Sequence, residues 1–281
     1  MTQPLDADYR LIYHNSRGAA EPIRLLLAIS GADWQDVRYP LGAARSGFAL
    51  HEQYIRARDA GAFAANMDSL PVLLVREDGG ANWMLGQSHA IARFVARRHG
   101  LLGSTPREEA AVDCLVECVR DIRASWYKVK ATPAEVAQRP WWDVLGAKGE
   151  ERSGAARHAA KQSWWASGLP EACTKLERAA ERAAPPRGEA AGEVSGEGGE
   201  GAPPPPWLVG GSVTLADVVV YHLLSTPMSV ASGCVVGFFD GEAEPVREAL
   251  ESCPRLAAVV AAVGALPAVR EWEMRRPDTF S

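Results

Sequence analysis

The chain has 281 residues, enough to bury a sizeable core and to form two domains. Its 47% hydrophobic and 23% charged residues fit a globular protein, and a formal net charge of −5 turns it away from nucleic acid or an anionic membrane as principal partner. No apolar run approaches the roughly 18 residues that span a bilayer, and the opening Met1 to Asp8 has neither the basic nor the apolar region of a signal peptide, so a cytoplasmic protein is expected.

In chain order, Tyr9-Arg-Leu-Ile-Tyr13 reads as a short strand rich in β-formers. A turn through His14 to Gly18 leads into a helix from about Ala19 to Ser30, with Ala20, Ile23, Leu26 and Leu27 on its apolar stripe and Gly31 placed to end it. Asp33 to Tyr39 is a second strand, and a β-α-β unit favours a right-handed crossover with a parallel pair. From Pro40 to Met67 the pattern blurs, and a loop with one or two irregular helical turns is predicted. Val72 to Val75 reads as a buried strand, Glu77 to Gly80 as a turn, and Asn82 to Leu85 as the returning arm of a hairpin. Ser88 to His99 is a helix with Ile91, Phe94 and Val95 on one side and Gly100 past its end. The order β-α-β-β-β-α over residues 8–101 is that of the thioredoxin-like fold.

From Ser104 the period becomes helical, and residues 104–281 read as an all-α second domain. Thr105-Pro-Arg-Glu opens a long helix to about Lys130, with the threonine as cap, proline at the first position and acids at the positive end. Its buried stripe is Val112, Leu115, Val116, Val119 and Ile122. A second helix spans His158 to Arg182, bent near Pro170. Residues 183–206 use only seven residue types and no aromatic, which predicts a disordered surface insertion. Thr214-Leu-Ala-Asp217 is a helix-start box ahead of an apolar run from Val218 to Leu224. Arg255 to Val263 and a turn near Val269 complete the domain.

The chemistry concentrates in the first half. Tyr13 ends the first strand, where its phenol can donate to a nearby sulfur; donation favours the thiolate, which is the nucleophile. A Leu70-Pro71 turn that exposes backbone groups, and the helix start at Gln87-Ser88, can together hold a small peptide-like anion. The five cysteines, at 114, 118, 173, 234 and 253, are scattered and odd in number, so neither a disulfide framework nor a metal-ligand spacing is present, and no metal is expected. The first 113 residues contain none, which excludes chemistry that needs a cysteine nucleophile there.

Taken together, Tyr9 to Tyr13, Gly18-Ala-Ala-Glu-Pro-Ile-Arg24, the Leu70-Pro71 turn, Gln87-Ser88 and Val209-Gly-Gly with Thr214 to Asp217 resemble the cytosolic glutathione S-transferases. The tyrosine-using, sigma-like branch is the nearest in pattern. The resemblance covers residues 8–101 well and 104–281 more loosely, and it implies glutathione as co-substrate, a small electrophile as second substrate and a homodimer. It implies that Tyr13 activates the thiol, that Pro71 is cis with the Leu70 backbone pairing the cysteinyl unit, and that Gln87 and Ser88 clamp the γ-glutamyl carboxylate. Tyr54 and Arg58 would meet the glycyl carboxylate, with arginine where relatives have lysine. Asp121, in line with Asp113 and Glu117 on the long helix, would reach glutathione bound by the other subunit. His14, Asn15, Trp126 and Tyr127 would line the second-substrate pocket.

Two departures stand out. Many tyrosine-type relatives carry an arginine after the glycine of the first turn, where this chain has Ala19; Arg17 precedes Gly18 instead. Ser16 is a rival hydroxyl deeper in the turn. The expected activity is conjugation of glutathione to electrophiles. A glutathione-dependent isomerase and a non-catalytic transferase-like module remain as alternatives.

Overall fold

A computed structural model describes residues 7–44, 47–77, 82–130, 154–183, 206–225 and 243–277. Of these, 7–102 with 263–277 form one compact unit, and 103–225 with 243–262 form the other.

The first unit is built on a four-stranded sheet in the order β2-β1-β5-β6, from β1 (Tyr9–His14), β2 (Trp34–Tyr39), β5 (Val72–Arg76) and β6 (Asn82–Gly86). β1 and β2 run parallel across helix α1 (Glu21–Ser30), and β5 is antiparallel to both β1 and β6, as the sequence order predicts. Alternation along β1 fixes the site. Tyr9 and Leu11 are buried on one face, so Tyr13 continues that face toward α1. Ile12 and His14 lie on the other, against Tyr54. Proline at the start of α1 and Gly31 in the left-handed region at its end delimit that helix as expected.

The stretch predicted as loop is more ordered than its sequence suggests. β3 (Leu41–Ala44) and β4 (Gly47–Leu50) pair as a separate antiparallel ribbon. Helix α2 (Glu52–Asp59) follows, its start capped by His51 Nδ1, which accepts from the Gln53 amide at 3.3 Å. A 3-10 turn at Ala64–Asn66 then leads toward helix α3 (Ser88–Arg98) by way of β5 and β6. Leu-Gly-Ala-Ala carries no alternation that would mark a strand. The turn expected between β5 and β6 falls mostly on residues 78–81, outside the described residues.

In the second unit α4 (Pro106–Lys130) opens with a capping box: the Glu108 amide donates to Thr105 Oγ1 at 3.2 Å, and the Glu108 carboxylate accepts from the Thr105 amide at 3.2 Å. The predicted apolar stripe from Val112 to Ile122 is buried. The helix expected over 158–182 is α5 (Gly154–Ser163) and α6 (Leu169–Ala183), joined by a π turn at Trp164–Gly168. The break lies just before Pro170, where Gly168 leaves room for the Trp164 ring; a Cβ there would stand 2.6 Å from its Cε3. α7 (Leu215–Leu224) carries the expected box. Asp217, buried, accepts from the amides of Leu208 (2.8 Å) and Thr214 (2.7 Å) and from the Thr214 hydroxyl (2.8 Å), so the turn and the helix start are tied together. α8 (Ala243–Glu251) and α9 (Pro254–Ala265) follow. The insertion expected at 183–206 lies outside the described residues from 184 to 205. No helix among the described residues is long and apolar enough to cross a membrane.

The last helix, α10 (Pro267–Arg275), sits with the first unit rather than with the helical half where the sequence reading put it. It packs on α1, and the physical reason is a buried carboxylate: Glu21, 2% exposed, accepts from the Trp272 indole at 2.9 Å.

Candidate active site

Tyr13 stands where β1 gives way to a tight turn. Gly18, with φ +41°, lets the chain fold beneath the phenol; a Cβ at that position would lie 2.7 Å from Tyr13 Oη. The Tyr13 oxygen accepts from the Ala19 amide at 3.3 Å. A hydroxyl that accepts a hydrogen bond through its lone pair becomes a stronger donor through its proton. The Ala19 backbone thus supplies positive character beside the phenol.

Arg24 carries the turn. It is fully buried; Nη1 donates to the carbonyls of Ser16 (2.7 Å) and Arg17 (3.4 Å) and meets Glu21 Oε2 at 3.3 Å, while Nε meets Asp36 Oδ1 at 3.1 Å. Its guanidinium carbon lies 5.8 Å from the centre of the Tyr13 ring. Two carboxylates and two carbonyls compensate this buried cation through Nη1 and Nε, while Nη2 has no hydrogen-bond partner among the described residues. Ser16, the rival hydroxyl, therefore sits in a turn that is held by its own carbonyl. Arg17 is buried at 7% exposure in the same turn.

The second element is the edge formed by Leu70, Pro71, Gln87 and Ser88. The Leu70–Pro71 peptide is cis. Gln87 is exposed and adopts φ +67° directly ahead of α3, and no side chain caps that helix start. Amides of a first helical turn have no acceptor within their own helix and favour an anion.

Asn66, which sequence reasoning missed, joins these pieces. Buried at 3% exposure, its amide nitrogen donates to the Ser69 and Pro71 carbonyls, both at 2.9 Å. Its Oδ1 accepts from the Gln87 amide at 2.8 Å and from Gln87 Nε2 at 2.9 Å. Gly86 permits this approach, since a Cβ there would stand 2.5 Å from Asn66 Cβ. One side chain thus sets the spacing between the cis-proline turn and the start of α3. An asparagine five residues before a proline is too common a pattern to have shown it.

The remaining expected residues are placed as follows. Tyr54 is a core ring at 6% exposure, stacked on Phe63 (5.7 Å between centroids), with its hydroxyl donating to the Asp68 carbonyl at 3.2 Å. Its role in the structure is to hold the loop ahead of Pro71 rather than to present a polar group at the surface. Arg58 lies over the Tyr54 ring and pairs with Asp59 at 2.8 Å. His14 is half-buried against Tyr54, with ring centroids 4.8 Å apart, and burial pushes its pKa below the usual histidine value. Asn15 Oδ1 accepts from Arg38 at 3.3 Å.

In the second unit, Asp121 is exposed and lines a cleft of about 390 Å³ with Cys118, Ile122, Ser125, Trp164 and Glu171. Tyr127 is 37% exposed on the same helix. Trp126, expected to line a pocket, is instead a core residue at 1% exposure, packed against Trp164 and Trp165. A large ring at a stripe position of a long helix buries most apolar area by turning inward.

Residues 151–276 match the family model for the glutathione S-transferase C-terminal domain. The chain is 28% identical over 141 residues, half of its length, to the class-mu 28 kDa glutathione S-transferase of Schistosoma japonicum. It spans about three-fifths of the length of that relative and of its Schistosoma mansoni counterpart (61% and 59%). Against glutathione S-transferase Mu 1 of Oryctolagus cuniculus the identity is 26%, covering 88% of this chain and 87% of the relative. Among solved structures, the sigma class glutathione S-transferase of Fasciola hepatica matches with a TM-score of 0.61 at 18% identity, over 97% of this chain and 98% of that one. The prostaglandin synthase D of Nilaparvata lugens matches with a TM-score of 0.59 at 18% identity, over 96% and 99%, and both likenesses show the fold. The thioredoxin-like first unit and the matched helical domain make this chain similar to the glutathione S-transferases in fold, with residues 151–276 matching that family's C-terminal domain.

Proposed function

We propose that the protein is a tyrosine-type, sigma-like glutathione transferase. Glutathione lies along the edge of Leu70, Pro71, Gln87 and Ser88, its cysteinyl backbone pairs beside the cis proline, and its γ-glutamyl carboxylate takes the amides at the start of α3. Tyr13 donates its hydroxyl proton in a hydrogen bond to the sulfur. This lowers the thiol pKa from its free value of roughly 8.5, so that more thiolate is present near neutrality. The thiolate then attacks an electrophilic carbon: a C–S bond forms as the leaving group departs with its electron pair, and the thiol proton goes to solvent.

The observation that carries this reading is the hydrogen bond from the Ala19 amide to Tyr13 Oη at 3.3 Å over Gly18, which orients the phenol and strengthens it as a donor. Arg58 would meet the glycyl carboxylate. Asp121 would reach the glutathione of a second subunit in a homodimer, and the half-buried His14 and Asn15 would serve the electrophile. The cytoplasm is the location such an enzyme implies.

The test is conjugation of glutathione to a generic aryl halide by the parent and by Tyr13→Phe, alongside retention on immobilised glutathione. Tyr13→Phe is expected to keep its retention and to lose about ten-fold or more in kcat/KM, the size of one hydrogen bond to a charged group. Equal rates would overturn the assignment of Tyr13, and a parent that is not retained would favour a non-catalytic module. A second reading, a glutathione-dependent isomerase, uses the same thiolate and returns it after rearrangement. The likeness to the Nilaparvata lugens protein favours keeping it, and turnover without net loss of glutathione would select it.

A further inference from the structure

Glu21 is a carboxylate with two assignments. Its Oε2 meets Arg24 Nη1 at 3.3 Å, on the side of the turn that carries Tyr13. Its Oε1 faces the other way and accepts from the Trp272 indole at 2.9 Å and from Arg276 Nη1 at 2.6 Å. Those donors come from the end of the chain, some 250 residues away in sequence, and they close a continuous path. Trp272 and Arg276 hold Glu21, Glu21 holds Arg24, and Arg24 holds the Ser16 and Arg17 carbonyls. The next residues, Gly18 and Ala19, are those that touch the Tyr13 hydroxyl.

A parallel branch enforces the same geometry. Asp36 joins Arg24 (3.1 Å) to Arg38 (2.6 Å), and Arg38 reaches Asn15 Oδ1 at 3.3 Å and lies 6.0 Å from the Trp272 ring centre. Trp272 also packs on Trp34, with centroids 5.2 Å apart. Glu21 and Arg24 are 2% and 0% exposed, so little water competes for these bonds. In such surroundings the carboxylate of Glu21 and the Nη1 and Nε groups of Arg24 would cost a great deal if they lost their partners, so these bonds resist opening.

We infer that the C-terminal helix positions the catalytic phenol: Trp272 and Arg276 are positioning residues that act on Tyr13 through Glu21 and Arg24. The proposal rests on the reading of Tyr13 as the thiol-activating group. Its physical content is a competition for Arg24. With Oε1 satisfied by Trp272 and Arg276, Glu21 draws on Arg24 with only part of its charge, and Nη1 stays on the Ser16 and Arg17 carbonyls. Without those donors the full carboxylate charge turns to Arg24, pulls the guanidinium off the turn, and lets the Ala19 amide drift from Tyr13. The phenol then donates less well to sulfur.

The experiment uses the full chain and two titrations: the thiolate absorbance of bound glutathione, and the phenolate absorbance of Tyr13 without glutathione, isolated by difference against Tyr13→Phe. Trp272→Phe keeps the ring and removes the indole N–H; Arg276→Met removes the charge; Arg276→Lys retains it. Trp272→Phe and Arg276→Met are each expected to raise both titrations by roughly half a unit, a fraction of the one to three units typical of a close charge. In kcat/KM this is about a threefold loss below the thiol pKa, with glutathione affinity unchanged and Arg276→Lys close to the parent. If Trp272→Phe does not fold, Arg276→Met, at the partly exposed end of the path, decides. Lower thermal stability with both titrations unmoved would reduce α10 to a structural brace and overturn the proposal. A parent whose bound thiol titrates no lower than free glutathione would overturn the role of Tyr13 instead, and the phenol titration would still test the path.

Discussion

Asn66→Ala is the sharpest perturbation of the proposed glutathione edge, because one side chain holds both of its halves. The substitution leaves the Ser69 and Pro71 carbonyls and the Gln87 amide without their partner, and only the Pro71 bond is wholly buried. Taking about 1 kcal/mol for each of the two half-buried backbone bonds and about 2 for the buried one, the loss over these three comes to about 4 kcal/mol. Asn66→Asp is expected to do no better, since it keeps the acceptor toward Gln87, loses both donations and buries a charge. Hydrogen exchange reads this locally: the Gln87 amide, and that of Ile91 which donates to the Gln87 carbonyl at 2.9 Å, should lose protection in step with the urea-unfolding loss. Glutathione affinity should fall about tenfold as the start of α3 moves away from the cis proline, equivalent to about 1.4 kcal/mol. A loss below about 1 kcal/mol with affinity intact would mean that water or a shifted Gln87 replaces the asparagine, and the bracing argument would fail.

Gly18→Ala should cost about 1–2 kcal/mol for the left-handed backbone, and because its Cβ would crowd Tyr13 Oη it should lower conjugation more than stability alone predicts. In thiol mapping at pH 8, Cys173, buried and pushed up to about 12, and Cys253, also buried and raised, should resist an alkylating reagent until denaturant is added. Their labelling in the native protein would place the α6 core wrongly. His14 and His99 both titrate below the ordinary value because burial disfavours their charged forms. In the unfolded chain they take up protons first as pH drops past about 6.5, so stability is present above that pH and declines below it, toward the folded values. Urea midpoints from pH 7.5 to 5 should show the decline, and His14→Phe should flatten it; an unchanged slope would exclude His14 as a contributor.

Much of the first unit was legible because its elements each declare one period. β1, β5 and β6 show β-rich runs between turns, α1 and α3 show apolar stripes, and Gly31 ends its helix where expected. What stayed hidden is held by groups with no periodic signature. The β3–β4 ribbon consists of backbone pairing between two four-residue segments too short and too rich in glycine and alanine to declare themselves as strands. Asn66 and Glu21 act through polar contacts that carry no periodic signal, and for Glu21 the partners Trp272 and Arg276 lie some 250 residues further along the chain. Tyr54 and Trp126 are buried rings. The resemblance implies ligand-facing roles for both, and in the structure each ring packs inside its own unit.

The same distinction separates the two hydroxyls of the first turn. Ser16 belongs to a segment whose carbonyl is taken by Arg24, so its position follows from the needs of a buried cation. Tyr13 belongs to the strand, and its ring continues the face of Tyr9 and Leu11, two of the most deeply buried side chains of the unit. Pairing with β2 and β5 therefore fixes the phenol at its root, and the Ala19 amide fixes it at its tip. A donor held at both ends loses little freedom when it meets a sulfur, which is what preorganised charge stabilisation requires. On the proposed reading the Ala19 amide does the work of the arginine that similar transferases carry after this glycine, with Arg24 holding the turn beneath it.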